Sequence, residues 1–126
     1  MPDGHDELAL DNERFVRLCR ITTPSEYRNV FQNAKRLHDR YFTILLRQNN
    51  FGHARLGLVV SRKCAKKAVS RNRIKRLVRE SFRKRYRELT PYDIVVIGKS
   101  GVTTRTNEQL RQLLENRWNE LVQCAA

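Results

Sequence analysis

Cysteine is scarce and unpatterned in this chain. The 126 residues hold three, Cys19, Cys64 and Cys124, odd in number, far apart and without a CxxC spacing. They read as reduced thiols, not as a disulfide framework or a zinc site. The three histidines, His5, His38 and His53, show no spacing that would build a metal site. No apolar run approaches the roughly 20 residues that span a bilayer. Residues 1–13 lack Lys and Arg, so the basic head of a secretory signal is missing and a cytoplasmic location is expected. Catalytic constellations are missing as well. There are no paired carboxylates, no Cys/His or Ser/His/Asp pattern and no phosphate-cradling loop. Glu80 and Asp93 stand isolated in the sequence. Asp93 is expected to face solvent or to pair with a nearby arginine, and Ser61 and Ser70 read as structural. No catalytic residue and no cofactor bound by the protein alone are expected.

What is present is charge of one sign. Lys and Arg number 26 against 13 Asp and Glu, a net charge of +13. Five of the acids, Asp3, Asp6, Glu7, Asp11 and Glu13, lie in residues 1–13. That leaves a basic domain at 14–126 behind an acidic head expected to be poorly ordered. Such a domain implies a polyanionic partner. Nucleic acid is the first candidate. An anionic membrane is a weaker one, since no basic segment carries the bulky apolar face that membranes require. With 40% hydrophobic and 31% charged residues, the chain can bury one core in one domain.

Residues 14–21 alternate apolar and basic and give only an extended or irregular lead-in. Thr23-Pro24-Ser25-Glu26 is a capping box with Pro at the first helical position. Tyr27, Val30, Phe31 and Ala34 follow at helical spacing, predicting a helix to about Lys35. Residues 41–46 and 55–61 read as strands joined by a turn, forming a hairpin. A basic connection at 62–70 leads to a helix from about Arg71, with Ile74, Leu77, Val78, Phe82, Tyr86 and Leu89 on one face. Thr90-Pro91 ends it. Residues 92–98 are a buried-type strand, and Thr106 to Gln109 is a second capping box. The last helix follows, with Leu110, Leu113, Leu114, Trp118, Leu121 and Val122 on its stripe. The order makes a single α+β layer sandwich.

The segment from Arg62 to Arg87 holds 13 of the 26 basic residues and one acid, Glu80. At about 100° per residue, Asn72, Arg76, Arg79 and Arg83 fall within about 60° of one another, opposite the apolar stripe. Charges opposite an apolar stripe are usually a solvated face. Here the run is nearly all one sign, which costs helix stability, whereas a solvated face intersperses both signs. Guanidinium groups spaced along a rigid helix suit phosphates, and Arg71-Asn72-Arg73 would stand where the helix start adds free N–H groups. Tyr27 and Phe31 share a helix face. They are core by default, or with Phe15 and Phe42 they line a groove that stacks on unpaired bases.

Arg71-Asn72-Arg73-Ile74-Lys75-Arg76-Leu77-Val78-Arg79-Glu80-Ser81-Phe82-Arg83 resembles the signature segment of the bacterial ribonuclease P protein component. Residues 23–31, 55–63 and 92–99 resemble that family's first helix and the strands flanking the signature, so the likeness covers roughly 14–122. The resemblance implies an α/β sandwich on a four-stranded sheet with three helices and a left-handed βαβ crossover, against the usual hand. It implies a subunit of an endoribonuclease that removes the 5′ leader of precursor tRNA. The catalyst would be the RNA subunit, using Mg2+. Arg62, Lys63, Lys66, Lys67, Arg71, Asn72, Arg73, Lys75, Arg76, Arg79 and Arg83 would contact that RNA. Phe15, Tyr27, Phe31 and Phe42 would line the groove for the leader. Many members have Phe at Tyr27, Lys at Arg62 and a glycine in the loop that here reads Cys64-Ala65-Lys66-Lys67. Rival readings are a structural RNA binder of ribosomal-protein type, a DNA-binding protein and a self-sufficient nuclease. The DNA reading lacks the positioning helix of a helix-turn-helix, and no DNA partner is expected.

Overall fold

The computed structural model describes residues 20–89 and 91–125. The acidic head, Phe15 and Cys19 lie outside them. The elements are α1 (Pro24–Asn33), β1 (Lys35–His38), β2 (Phe42–Gln48), β3 (Arg55–Val59), α2 (Ala68–Lys84), β4 (Tyr92–Gly98), a 3-10 turn (Val102–Thr104) and α3 (Asn107–Ala125). Three helices and a mixed four-stranded sheet make the α+β sandwich. None of the described helices is long and apolar enough to cross a membrane.

Both capping boxes form. Thr23 Oγ1 accepts the Glu26 N–H while Glu26 Oε1 accepts the Thr23 N–H, and Thr106 and Gln109 repeat the exchange at α3. The hairpin does not form. Strand order is β1-β2-β4-β3, so β4 lies between the two strands expected to pair. It runs antiparallel to β2 and parallel to β3. The reason is hydrophobic: Ile94, Val95 and Val96 are buried on both faces of the sheet, which requires the central position. A parallel β3–β4 pair needs a crossover, and α2 supplies it. β1 was not anticipated. Its four residues are mostly exposed and it pairs with β2 alone, so it carries almost no hydrophobic signal.

Alternation along the strands divides the apolar residues into two layers. Phe42, Ile44, Leu46, Leu56, Ile94 and Val96 face α2 and α3 in the larger core. There Trp118 is fully buried, donates Nε1–H to Ser81 Oγ at 2.7 Å, and meets Phe82 edge-on. On the other face Leu45 and Val95 pack with Ile21 and Val30 beneath α1, flanked by Tyr27, Val59 and Ile97.

Candidate nucleic-acid interface

α2 begins at Ala68, three residues before the expected start. The Arg71 N–H already donates to the Lys67 carbonyl, so the N–H groups without an intrahelical partner belong to Lys67, Ala68, Val69 and Ser70, not to the Arg71-Asn72-Arg73 tripeptide. The N-cap is Lys67, which makes no side-chain cap, and the first turn has no acid. Cations at a helix N-terminus oppose the dipole. This end of α2 is therefore poorly built for a helix in isolation and well built to receive an anion.

The acids are used elsewhere. Among the described residues, ion pairs join Glu26 and Asp93 to Arg55, Glu88 and Glu115 to Arg85, and Asp39 and Glu120 to Arg117. None reaches Arg62, Lys63, Lys66, Lys67, Lys75, Arg76, Arg79 or Arg83. Arg62, Lys63, Lys66, Lys67, Asn72 and Arg76 are exposed, and Lys75, Arg79 and Arg83 half-buried. Burial lowers the pKa of Arg79 and the charge of Arg20 adds to this, while Tyr27 acts the other way. Arg79 thus lies within electrostatic reach of Arg20 and of Tyr27 on α1.

Two residues of the tripeptide turn inward. Arg71 Nη1 donates to the carbonyls of Ala65 and Lys66 at 3.0 and 2.8 Å, fixing the basic loop. Arg73 donates through Nε to Asn107 Oδ1 at 2.7 Å, and through its terminal nitrogens to the carbonyls of Thr103 and Arg105. It docks α2 on the start of α3.

The aromatic set divides. Tyr27 and Phe31 lie side by side on α1 with ring centroids 6.2 Å apart. Phe31 is 39% exposed. The Tyr27 ring lies over Gly57, where any Cβ would come within 2.8 Å of it. Its hydroxyl accepts the Leu58 N–H at 3.1 Å and donates to the Leu58 carbonyl. Phe42, expected beside them, is 1% exposed in the core on the opposite face of the sheet, because its strand parity differs by one from that of Leu45. It cannot join the Tyr27 platform. The sheet beside that platform presents Val59 and Ile97 instead, both part-buried.

Sequence reasoning missed a buried network at the opposite end of β3. Arg55 donates through Nε and Nη2 to the two oxygens of Asp93, both at 2.9 Å, and through Nη1 to Glu26 Oε2 at 2.7 Å. Asn49 Nδ2 donates to Asp93 Oδ1 at 2.8 Å, and the Phe51 ring covers the guanidinium at 4.1 Å. Of the two options for Asp93, the arginine pair is the one found. The only signal was an Asp opening an otherwise apolar strand. Burial pushes the Glu26 carboxyl up. The N–H groups of Thr22 and Thr23, with the Arg55 guanidinium, more than offset this and hold it at about 2 against an ordinary 4.5. A depressed carboxylate stabilises the fold above its unfolded pKa and stops doing so as pH falls through the folded value. Glu26→Gln is expected to cost about 1–3 kcal/mol near neutrality. The gap to the wild type should narrow below pH 4.5 and close near pH 2. Urea titrations at several pH values check this.

Among the described residues no group of three or more His, Cys, Asp or Glu is placed to hold a metal ion.

Comparison with known proteins agrees with this architecture. The family model described as Ribonuclease P matches residues 15–122. The ribonuclease P protein component of Thioalkalivibrio sulfidiphilus is 46% identical over 114 residues, covering 90% of this chain and 94% of that protein. That of Vibrio vulnificus strain YJ016 is 48% identical over 107 residues, covering 85% and 91%. The solved Staphylococcus aureus RNase P protein superposes with a TM-score of 0.74 at 30% identity, over 78% of this chain and 90% of that one. On its fold, its basic helix and these matches, the chain belongs to the ribonuclease P protein component family.

Proposed function

We propose that the chain binds the catalytic RNA of ribonuclease P through the loop at 62–67 and the outer face of α2, and takes the 5′ leader of precursor tRNA across Tyr27 and Phe31. The observation that carries this is the row of cationic side chains along the 62–67 loop and α2 that have no carboxylate partner among the described residues, together with the Tyr27–Phe31 ring pair on α1. Phosphates would neutralise that row, and unpaired leader bases would stack on the rings. Phe15 joins the leader platform by family resemblance alone. The hydrolysis itself is assigned to the RNA and its Mg2+ ions. The protein's part is to raise affinity for precursor over product, since mature tRNA has no leader, and to screen RNA–RNA repulsion.

The test is cleavage of a 5′-extended tRNA at low Mg2+, with ribonuclease P RNA alone and with the protein added. Restored cleavage, with no activity from protein alone, supports the reading. Binding without any change in cleavage would leave a structural RNA binder, and cleavage by protein alone would make it a nuclease in its own right. Phe31→Ala is expected to lower the preference for precursor over mature tRNA about tenfold, as loss of one stacked base would. Normal preference in the folded variant would show that Phe31 takes no part in leader binding.

A further inference from the structure

α1 carries both groove aromatics, yet apolar packing anchors it lightly. Val30 is its one buried residue. Polar ties in its first turn set its position instead. Glu26 accepts Arg55 Nη1 on one oxygen and the N–H groups of Thr22 and Thr23 on the other. Arg55 is itself immobilised, 7% exposed, with two donors on Asp93 and the Phe51 ring over its face. The next residue, Tyr27, is seated by the Leu58 backbone. The clamp therefore fixes the end of α1 that leads directly into the platform.

We propose that Arg55, acting through Glu26, is a positioning residue for leader recognition. It sets the height and tilt of α1 over the sheet, and so the geometry in which Tyr27 and Phe31 meet a base. The proposal rests on the leader reading above. Arg55 and Glu26 touch no RNA in it. Their effect is to pre-organise a groove that the leader would otherwise have to order at a cost in affinity. Stacking is steep in distance, so a shift of about 1 Å in α1 is enough to be felt in binding.

The experiment uses the reconstituted holoenzyme with Glu26→Gln, which keeps the side-chain length and removes the charge. Thr23→Ala is the control: it removes the other half of the capping box and leaves the Glu26–Arg55 pair intact. Steady-state cleavage is measured on a precursor with a long leader and on one trimmed to a single leader nucleotide. The temperature is one at which circular dichroism shows both variants folded. Glu26→Gln is expected to raise KM for the long-leader precursor about tenfold. Its kcat, its KM for the trimmed precursor and its affinity for the RNA subunit should stay within about twofold of the wild type. Thr23→Ala should leave the long-leader KM near the wild-type value. A wild-type KM in Glu26→Gln overturns the proposal, and so does an equal rise in Thr23→Ala, which would reduce the effect to helix stability. If the wild type itself does not distinguish long from trimmed leaders, the leader reading fails and the clamp loses its function with it.

Discussion

Replacing Arg55 with methionine is expected to cost about 3–5 kcal/mol of folding stability, because it leaves a buried carboxylate without its partner. Asp93 is 2% exposed, and with Arg55 gone its carboxylate would keep, among the described residues, only the Asn49 amide. Tm should fall by well over 10 °C for a domain of this size, at roughly 4 °C or more per kcal/mol. The double replacement Arg55→Met with Asp93→Leu should be less damaging than Arg55→Met alone, since it removes the stranded charge as well. Arg76→Met, on the exposed face of α2, should lie within about 0.5 kcal/mol of the wild type. Urea unfolding followed by Trp118 fluorescence compares all three. An Arg55→Met midpoint equal to the wild type would mean that water reaches Asp93 and that the network is a surface feature.

The second large effect is on RNA affinity. Eight cations, Arg62, Lys63, Lys66, Lys67, Lys75, Arg76, Arg79 and Arg83, have no carboxylate partner among the described residues. A surface that neutralises six to ten phosphates loses about 10³- to 10⁵-fold in affinity between roughly 50 and 200 mM salt, by release of condensed counterions. Arg76→Ala should lower affinity and reduce the slope of log affinity against log salt by about one. Arg73→Ala should behave differently despite its place in the signature. Its guanidinium is held by Asn107 and by the carbonyls of Thr103 and Arg105, so the slope should hold while the melting temperature drops. Filter binding across a salt series, beside thermal melts, separates the two. A unit fall in slope for Arg73→Ala would show that it leaves those carbonyls for a phosphate.

What was legible in the sequence was local. Thr23 with Glu26, and Thr106 with Gln109, place helix starts because the capping exchange spans three residues of one chain. The α2 stripe was readable for the same reason, since period and burial coincide in Ile74, Leu77, Val78 and Phe82. The failures are non-local or weakly driven. Strands β2 and β3 are neighbours in sequence but not in space, because β4 has no polar face and takes the centre. Phe42 points away from α1 by a parity that depends on which face that helix covers. The start of α2 was misplaced because Lys67 gives no capping signal. Within the candidate site, the exposed cations were visible as a charge run. The inward turn of Arg71 and Arg73 depends on carbonyls in other elements, and the Arg55–Asp93 pair closes across 38 residues.

Both margins of the sheet are guarded against self-association. A bare edge strand offers a template for another chain to pair with. β1 is only four residues long and shows Lys35, Arg36 and His38 to solvent. Three outward groups of β3 are occupied: the Leu56 carbonyl takes the Ile21 N–H, and the Leu58 N–H and carbonyl are filled by the Tyr27 hydroxyl. The Tyr27 phenol, which anchors α1 to the sheet, is therefore also a plug in the β3 margin. A phenylalanine there would keep the ring and reopen that margin, leaving freshly made copies that have not yet met their RNA more prone to join strand to strand.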